Sequence, residues 1–351
     1  MRKKVFFILP SLTAGGSERV YWLLSQNLNK DEYDVTIVLL DSTRSFFSHE
    51  IAGVRIIDLG TIKASRSVFK LYSLLKKERP YAIFSTGGHI NMLVGFVSMF
   101  IDVPHLIARP TNVAEKSRFS TRKAKLFGSV GIQFYSRFDK VVCQSDEIRT
   151  SVGNSLNLSP DQLVVIPNPV IPTTKVKSRT SHQAIKRLIV VARLTRQKGL
   201  ERLIDVINDL PRNYTLTIAG AGPLRDELDN RIRRLSLQNR VNLVGLVTNV
   251  TDLIAEHDLF VLPSFIEGFP NVVVEALSVG TPVVAFKVGG ISQIITDGFN
   301  GYITTQNDLK AFSDNIVRAC GRYWDPVTIK DDVNARFGIE KIVSNYESLL
   351  A

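Results

Sequence analysis

Short, wholly apolar runs alternate along the chain with longer stretches in which apolar positions recur every third or fourth residue. The first kind reads as strand buried on both faces, the second as helix with one covered face. In the amino half this predicts strands at 5–10, 34–40, 54–59, 82–85, 105–108 and 140–143, and helices at 18–28, 67–78 and 91–100. Strands alternating with helices imply a parallel sheet. A proline-rich break, Ile166-Pro167-Asn168-Pro169-Val170-Ile171-Pro172, and a polar, basic stretch at 173–186 interrupt the rhythm. It restarts at Arg187 and runs to about Asp325, and residues 337–350 read as a closing helix. The expected class is α/β, with domains at 1–170 and 171–335 and a terminal helix at 336–351.

One segment of the second half concentrates candidate chemistry. An apolar run at 258–263, read as a buried parallel strand, leads through Ser264-Phe265-Ile266-Glu267-Gly268-Phe269-Pro270-Asn271 into a helix that begins near Val272 and carries Glu275 two turns in. In a doubly wound sheet, ligands bind at the carboxyl ends of strands, where helix N-termini present free N–H groups. Glu267 in the loop and Glu275 in the helix can then meet opposite ends of a nucleotide sugar. Two acids eight apart also arise by chance, but chance does not place Gly268-Phe269-Pro270 between them.

That string resembles the donor-site motif of the retaining family 4 glycosyltransferases, which have the GT-B fold. The segment Ile189-Val190-Val191-Ala192-Arg193-Leu194-Thr195-Arg196-Gln197-Lys198-Gly199-Leu200 is similar to the family's strand-loop-helix, whose Arg and Lys bind the donor diphosphate. Ile218-Ala219-Gly220-Ala221-Gly222-Pro223-Leu224, Val244-Gly245-Leu246 and the stretch from Gly280 to Gly290 recur in the family's order, and the match is nearly continuous over 164–303. The resemblance implies two Rossmann-like domains facing across a cleft, with the C-terminal helix returning to the first. It implies a glycosyltransferase of bacterial surface-polysaccharide type, retaining, of hexosyltransferase class, with a nucleotide diphosphate sugar as donor and a lipid-linked or oligosaccharide acceptor. Donor contacts fall on Gly15, Gly16, Arg193, Lys198, Gly220, Val247, Glu267, Gly268, Phe269, Pro270, Asn271, Val272 and Glu275. Catalytic roles fall on Glu267, His89, Arg193 and Lys198.

Residue chemistry adds detail. Arg193 and Lys198 can place a guanidinium and an ammonium on one diphosphate, where leaving-group charge develops. The chain contains no Asp-x-Asp tripeptide, so the usual carboxylate clamp for a divalent ion is missing, and a metal-independent site without cofactor is expected. Glu275 suits the ribose hydroxyls and Glu267 those of the sugar, though either could be a plain loop or helix anchor. Gly15 and Gly16, before a helix start, allow close backbone approach and angles closed to other residues; a simple tight turn reads equally well. His89 follows a strand and matches the family's cleft His, with His105 or Arg109 as possible contributors to the same surface. The sequence does not choose between a carboxylate nucleophile and same-face attack; the latter is favoured, with Glu267 positioning the sugar.

Composition narrows the rest. A chain of 351 residues suits two domains. Cys143 and Cys320 are its only thiols, which argues against a disulfide framework and for a reducing cytoplasm. Residues 1–10 imitate a signal peptide, but the run is too short, Pro10 ends it, and it reads better as a strand. The longest apolar stretch, 92–101, is about half a membrane span. Of the net charge of +11, residues 1–170 carry +8 (22 Lys and Arg against 14 Asp and Glu). Two basic, apolar-interleaved clusters stand out, one from Lys63 to Arg79 and one from Arg109 to Phe127. Both suit an anionic membrane surface, as they suit a solvated helix. No nucleic-acid motif accompanies them. The expected location is cytoplasmic, peripheral to the inner face of the membrane. Two alternatives are weighed. An NAD-dependent oxidoreductase would use Gly220-Ala221-Gly222, but Arg225 stands where its third glycine belongs and no acidic residue ends the next strand. A non-catalytic sugar-nucleotide or membrane-binding module would not need Arg193, Lys198, Glu267 and Glu275 intact.

Overall fold

A computed structural model describes residues 2–13, 15–43, 45–110, 133–177 and 184–351. The chain divides into two compact units, Met1–Pro169 with Ile339–Ala351, and Val170–Gly338.

The first unit is a seven-stranded parallel sheet in the order β3-β2-β1-β4-β5-β6-β7. Its strands are β1 (Lys3–Leu9), β2 (Tyr33–Leu39), β3 (Val54–Asp58), β4 (Ala82–Thr86), β5 (His105–Arg109), β6 (Lys140–Cys143) and β7 (Leu163–Val165). The 5–10 run becomes the centre of this sheet. Val5, Phe7 and Leu9 enter one core, and Phe6 and Ile8 enter the other, which is why the run is apolar without alternation. Helix α1 (Gly16–Asn27) and the C-terminal segment cover one face; α2 (Ala64–Glu78), α3 (Gly88–Val97) and α4 (Asp146–Leu156) cover the other. Helix α3 ends three residues before the predicted limit, and α4 and β7 were not read from sequence.

The second unit is a six-stranded parallel sheet, β10-β9-β8-β11-β12-β13. It comprises β8 (Lys186–Val191), β9 (Tyr214–Ala219), β10 (Val241–Gly245), β11 (Leu259–Leu262), β12 (Val283–Phe286) and β13 (Gly301–Thr304). Its helices are α5 (Leu200–Asp209), α6 (Arg225–Arg234), α7 (Val250–Ala255), α8 (Asn271–Ser278), α9 (Ile291–Ile294), α10 (Leu309–Cys320) and α11 (Pro326–Phe337). Helices α5, α6 and α10 pack on one face and α8, α9 and α11 on the other.

The closing helix is interrupted at Gly338, whose extended backbone (φ −58°, ψ 144°) pairs with Val170. Beyond it α12 (Ile339–Glu347) and a 3-10 turn, Ser348–Leu350, belong to the first unit. There Ile342, Tyr346 and Leu350 enter the core beside α1, and Glu347 accepts from the Asn29 N–H. Both cysteines are free, and burial pushes each thiol up to about 12. No helix of the described residues is long and apolar enough to cross a membrane.

Candidate functional site

In both sheets the strand order reverses beside the strand that starts the unit: between β1 and β4 in the first, between β8 and β11 in the second. The loops leaving such a strand pair run to opposite sides and leave a crevice at the carboxyl ends. Most of the sequence-predicted residues lie on the loops and helix starts at these two places, while Gly220 and Val247 follow β9 and β10 to one side of the second.

In the second unit, the loop after β8 carries Arg193 and Lys198, and the loop after β11 carries Glu267. The structure brings Lys198 and Glu267 into contact: Nζ lies 2.7 Å from Oε1 and 2.9 Å from Oε2. Both side chains are largely covered, at 25% and 12% exposure, so the pair is shielded more than a surface one. The Ser264 hydroxyl donates to the same Oε1 at 2.6 Å. Arg193 projects into solvent and forms no ion pair among the described residues.

Glycines hold these loops together by allowing backbone to touch backbone. A Cβ on Gly199 (φ +62°) would fall 2.2 Å from the Pro263 carbonyl oxygen, and one on Gly220 (φ +137°) would fall 1.9 Å from that of Ala192. A Cβ on Gly222 would fall 2.5 Å from the Leu194 carbonyl oxygen, and the Leu194 N–H donates to the Ala221 carbonyl at 3.0 Å. Gly220 and Gly222 therefore buttress the Arg193 loop, a role that accounts for both without a dinucleotide. Gly289 packs on the Glu267 and Gly268 carbonyls, and the Gly290 N–H donates to Gly268.

Gly268 is partly covered, whereas Phe269 is buried with its ring 5.9 Å from that of Phe337, and Pro270 is the N-cap of α8. Asn271 and Val272 form the first turn of that helix. Glu275 is its fifth residue, little more than one turn in rather than two, and is 5% exposed. Val247 is half-buried in the loop between β10 and α7.

In the first unit, the loop after β1 carries Gly15 and leads into Gly16 at the start of α1, and the turn after the adjacent β4 leads into His89 in the first turn of α3. The glycine pair corrects an expectation. Gly15 is extended (φ −95°, ψ 151°) and Gly16 opens α1, so neither needs angles closed to other residues. What Gly15 supplies is room: a Cβ there would meet the Glu18 carboxylate at 2.1 Å. The unusual backbone belongs to Gly87 (φ +91°), the N-cap of α3, which exposes His89 as that helix's second residue. His105 is excluded from this end. It starts β5, and its Nε2 is 2.9 Å from the Tyr81 hydroxyl. Arg109, at the other end of β5, is buried and bonded to Asn168. Lys116, Arg118, Arg122, Lys123 and Lys125 of the second basic cluster lie outside the described residues.

Sequence reasoning missed Ser264 as a partner of Glu267, and Arg202. Arg202 is 8% exposed in α5 and donates to the carbonyls of Pro263 and Ser264. The available signal was a lone arginine among Leu200, Leu203, Ile204 and Ile207 on the buried face of an amphipathic helix.

Residues 14–173 match the model of Glycosyltransferase Family 4, and residues 174–320 that of Glycosyl transferases group 1. The chain is 24% identical over 363 aligned positions to an uncharacterized glycosyltransferase of Haemophilus influenzae, covering 100% of both. It is 24% identical over 339 positions to the UDP-Gal:alpha-D-GlcNAc-diphosphoundecaprenol alpha-1,3-galactosyltransferase of Escherichia coli, covering 89% of this chain and 86% of the relative. Among solved structures it is similar to Anabaena Alr3699/HepE in complex with UDP, with a TM-score of 0.81, 21% identity and 99% of each chain covered. That likeness shows the fold, GT-B.

Proposed function

The chain belongs to the glycosyltransferases, with the Family 4 domain in its first unit and the group 1 domain in its second, and on that premise we propose that it is a retaining, metal-independent hexosyltransferase. The donor is a UDP-hexose held by the second unit. The acceptor is a lipid-linked glycan bound by the first, in synthesis of a surface polysaccharide such as O-antigen or capsule. The observation that carries this reading is the Lys198–Glu267 pair, joined across the switch point of β8 and β11. It sets a cation and a carboxylate side by side where a sugar phosphate would present an anion and hydroxyls.

Arg193 and Lys198 take the diphosphate and stabilise the charge that develops as the bond from the anomeric carbon to the phosphate oxygen breaks. The acceptor hydroxyl oxygen bonds to that carbon from the same face, and its proton passes to the departing phosphate oxygen. These two cations serve the leaving group in place of a divalent ion. Glu267 orients the sugar, with the backbone at Gly268 and Asn271 beside it, and Glu275 binds the ribose. Gly220 and Val247 line the nucleotide. Gly15, Gly16 and His89 are the first unit's contribution to binding the substrates.

The protein works on the inner face of the membrane. Helix α2 exposes Arg66, Lys70 and Lys77 around Phe69, which is 85% exposed, a pairing of charge and apolar side chain suited to anionic lipid. Lys76 and Arg79 extend the charge to an open depression also lined by Arg2, Lys3 and Lys4, together with Glu78 and Asp102.

The test is a thermal-shift screen of UDP, GDP, ADP and UDP-hexoses in excess EDTA. Ligand at 100 times its dissociation constant stabilises by about 2.7 kcal/mol. UDP and a UDP-hexose should stabilise the protein with chelator present. A response that needs added magnesium or manganese would overturn the metal-independent site.

A further inference from the structure

We propose that Arg202 is the positioning residue of the donor site, a buried guanidinium that fixes Ser264 and, through the Ser264 hydroxyl, aims the Glu267 carboxylate. The proposal rests on the reading of Glu267 as the carboxylate that orients the donor sugar.

Arg202 is the third residue of α5, which begins directly after the Lys198-Gly199 turn. Its Nε donates to the Pro263 carbonyl at 2.7 Å, and one terminal nitrogen to that of Ser264 at 2.8 Å. The other terminal nitrogen lies 3.2 Å from Gln306 Oε1 and 3.4 Å from Asn307 Oδ1. The guanidinium carbon is 3.8 Å from the Phe265 ring centre and 4.0 Å from that of Phe286. Among the described residues no carboxylate pairs with it; every partner is a neutral oxygen or an aromatic face. Burying a cation without a counter-charge is costly, and burial accordingly lowers this guanidinium's pKa to about 10. A methionine would fill similar space without that cost. What the guanidinium alone supplies is direction, since its planar fork reaches two successive carbonyls while also holding the Gln306-Asn307 turn.

Those carbonyls open the loop that carries Glu267. The Ser264 oxygen takes a second bond from Gln306 Nε2 at 2.9 Å, so the peptide is held from two sides. Its hydroxyl donates to the Glu267 oxygen that also receives Lys198. A continuous path thus runs from the helix behind Lys198, through the Ser264 peptide, to the carboxylate Lys198 meets. Displacing a reacting group by 1 Å can cost about 10²-fold in rate.

The experiment compares Arg202→Lys and Arg202→Met with wild type, using UDP for binding and release of UDP from UDP-galactose for activity. Arg240, which donates to the Tyr214, Ile207 and Leu210 carbonyls away from the site, supplies the control Arg240→Lys. Per folded molecule, Arg202→Lys should slow UDP release about 10- to 100-fold and leave the UDP dissociation constant within about 3-fold. Adding Ser264→Ala should cost little more than either change alone, because both act through Glu267. Arg240→Lys should lower stability only. Wild-type rates in Arg202→Lys, multiplicative losses with Ser264→Ala, or a loss that only tracks stability as in the control would each overturn the proposal. If wild type binds neither UDP nor UDP-galactose, the donor reading fails, and acetylation of the Lys198 amine by acetic anhydride then decides on Arg202 without substrate. Loosening Glu267 should raise that labelling rate in Arg202→Met by about 3-fold or more, and equal rates would overturn the inference.

Discussion

Lys198 meets a carboxylate and Arg193 meets solvent, so the two cations assigned to the diphosphate start from different states. Lys198 must exchange Glu267 for phosphate, whereas Arg193 has nothing to give up. Replacing either by alanine removes a donor at the developing charge, and each variant should lose about 10²- to 10³-fold in turnover. Binding of the nucleoside without its diphosphate should stay near wild type, and wild-type turnover in either variant would remove that residue from the site. The glycines separate in a similar way. Gly220→Ala sets a Cβ 1.9 Å from a backbone oxygen at φ +137°, whereas Gly245 (φ +78°) has open space around it. Denaturant melts should show Gly220→Ala destabilised by at least about 2 kcal/mol and Gly245→Ala by about 1 kcal/mol, and the reverse ranking would mean that the Ala192 loop yields. Both glycines stand in motifs readable from sequence, but which one touches backbone is not, because that depends on the approach of a loop nearly thirty positions upstream in the chain. The partners of Arg202 were illegible for the same reason, being carbonyls about sixty positions further along the chain.

At the level of elements, the apolar runs were legible because a strand buried on both faces favours apolar residues at successive positions, as β11, β12 and β1 from Val5 onward show. Helix α4 was not, because only Ile148, Val152 and Leu156 turn inward from a polar stretch, too few to mark a period in so short a segment. The start of α3 was misread because Gly87 supplies a left-handed N-cap (φ +91°), a conformation no pattern of apolar positions records. Helix α2 is tied to the sheet by chemistry as well as packing. Glu78, its last residue, accepts from Arg55 of β3 at 3.1 Å and from Lys4 of β1 at 2.8 Å. Hydrogen bonds from Arg55 and then Lys4 hold the carboxyl down at about 2, against an ordinary value of 4.5. A depressed carboxyl binds its proton more readily in the unfolded chain, so its stabilisation is fully present above pH 4.5 and is lost as pH falls towards 2. Glu78→Gln should therefore be less stable than wild type at pH 7, with the gap closing across that window. A gap independent of pH would mean that the contacts matter for shape alone.

For the whole molecule, the charge is as informative as the fold. The second unit carries the two cations we assign to the diphosphate, yet the excess of basic residues lies in residues 1–170, at +8 of the total +11. Basic groups that do not serve the donor invite another anion. On α2, Arg66, Phe69, Lys70 and Lys77 share an exposed face, while Leu71 and Leu75 turn inward to the core. Removing Phe69 from water supplies the apolar part of docking, and each well-placed Lys or Arg adds about 1 kcal/mol at an anionic surface, screened within about a Debye length. Binding to vesicles should thus rise with their anionic fraction and fall with salt. The variant combining Arg66→Gln, Lys70→Gln, Lys77→Gln and Phe69→Ser should leave the vesicles, while transfer to a short, water-soluble acceptor stays within about 3-fold of wild type, since these side chains lie on the surface and the one structural bond lost is that of Lys70 to the Leu59 carbonyl. Phe69→Ser alone should weaken docking at every salt concentration, whereas the three charge changes should weaken it chiefly at low salt, because only the Coulombic part is screened. Equal vesicle binding by wild type and the combined variant would reject this face as the docking surface. A matching fall in soluble-acceptor transfer would instead give these residues to acceptor binding, because a surface that only brings the enzyme to the bilayer has no part in transfer to an acceptor free in solution.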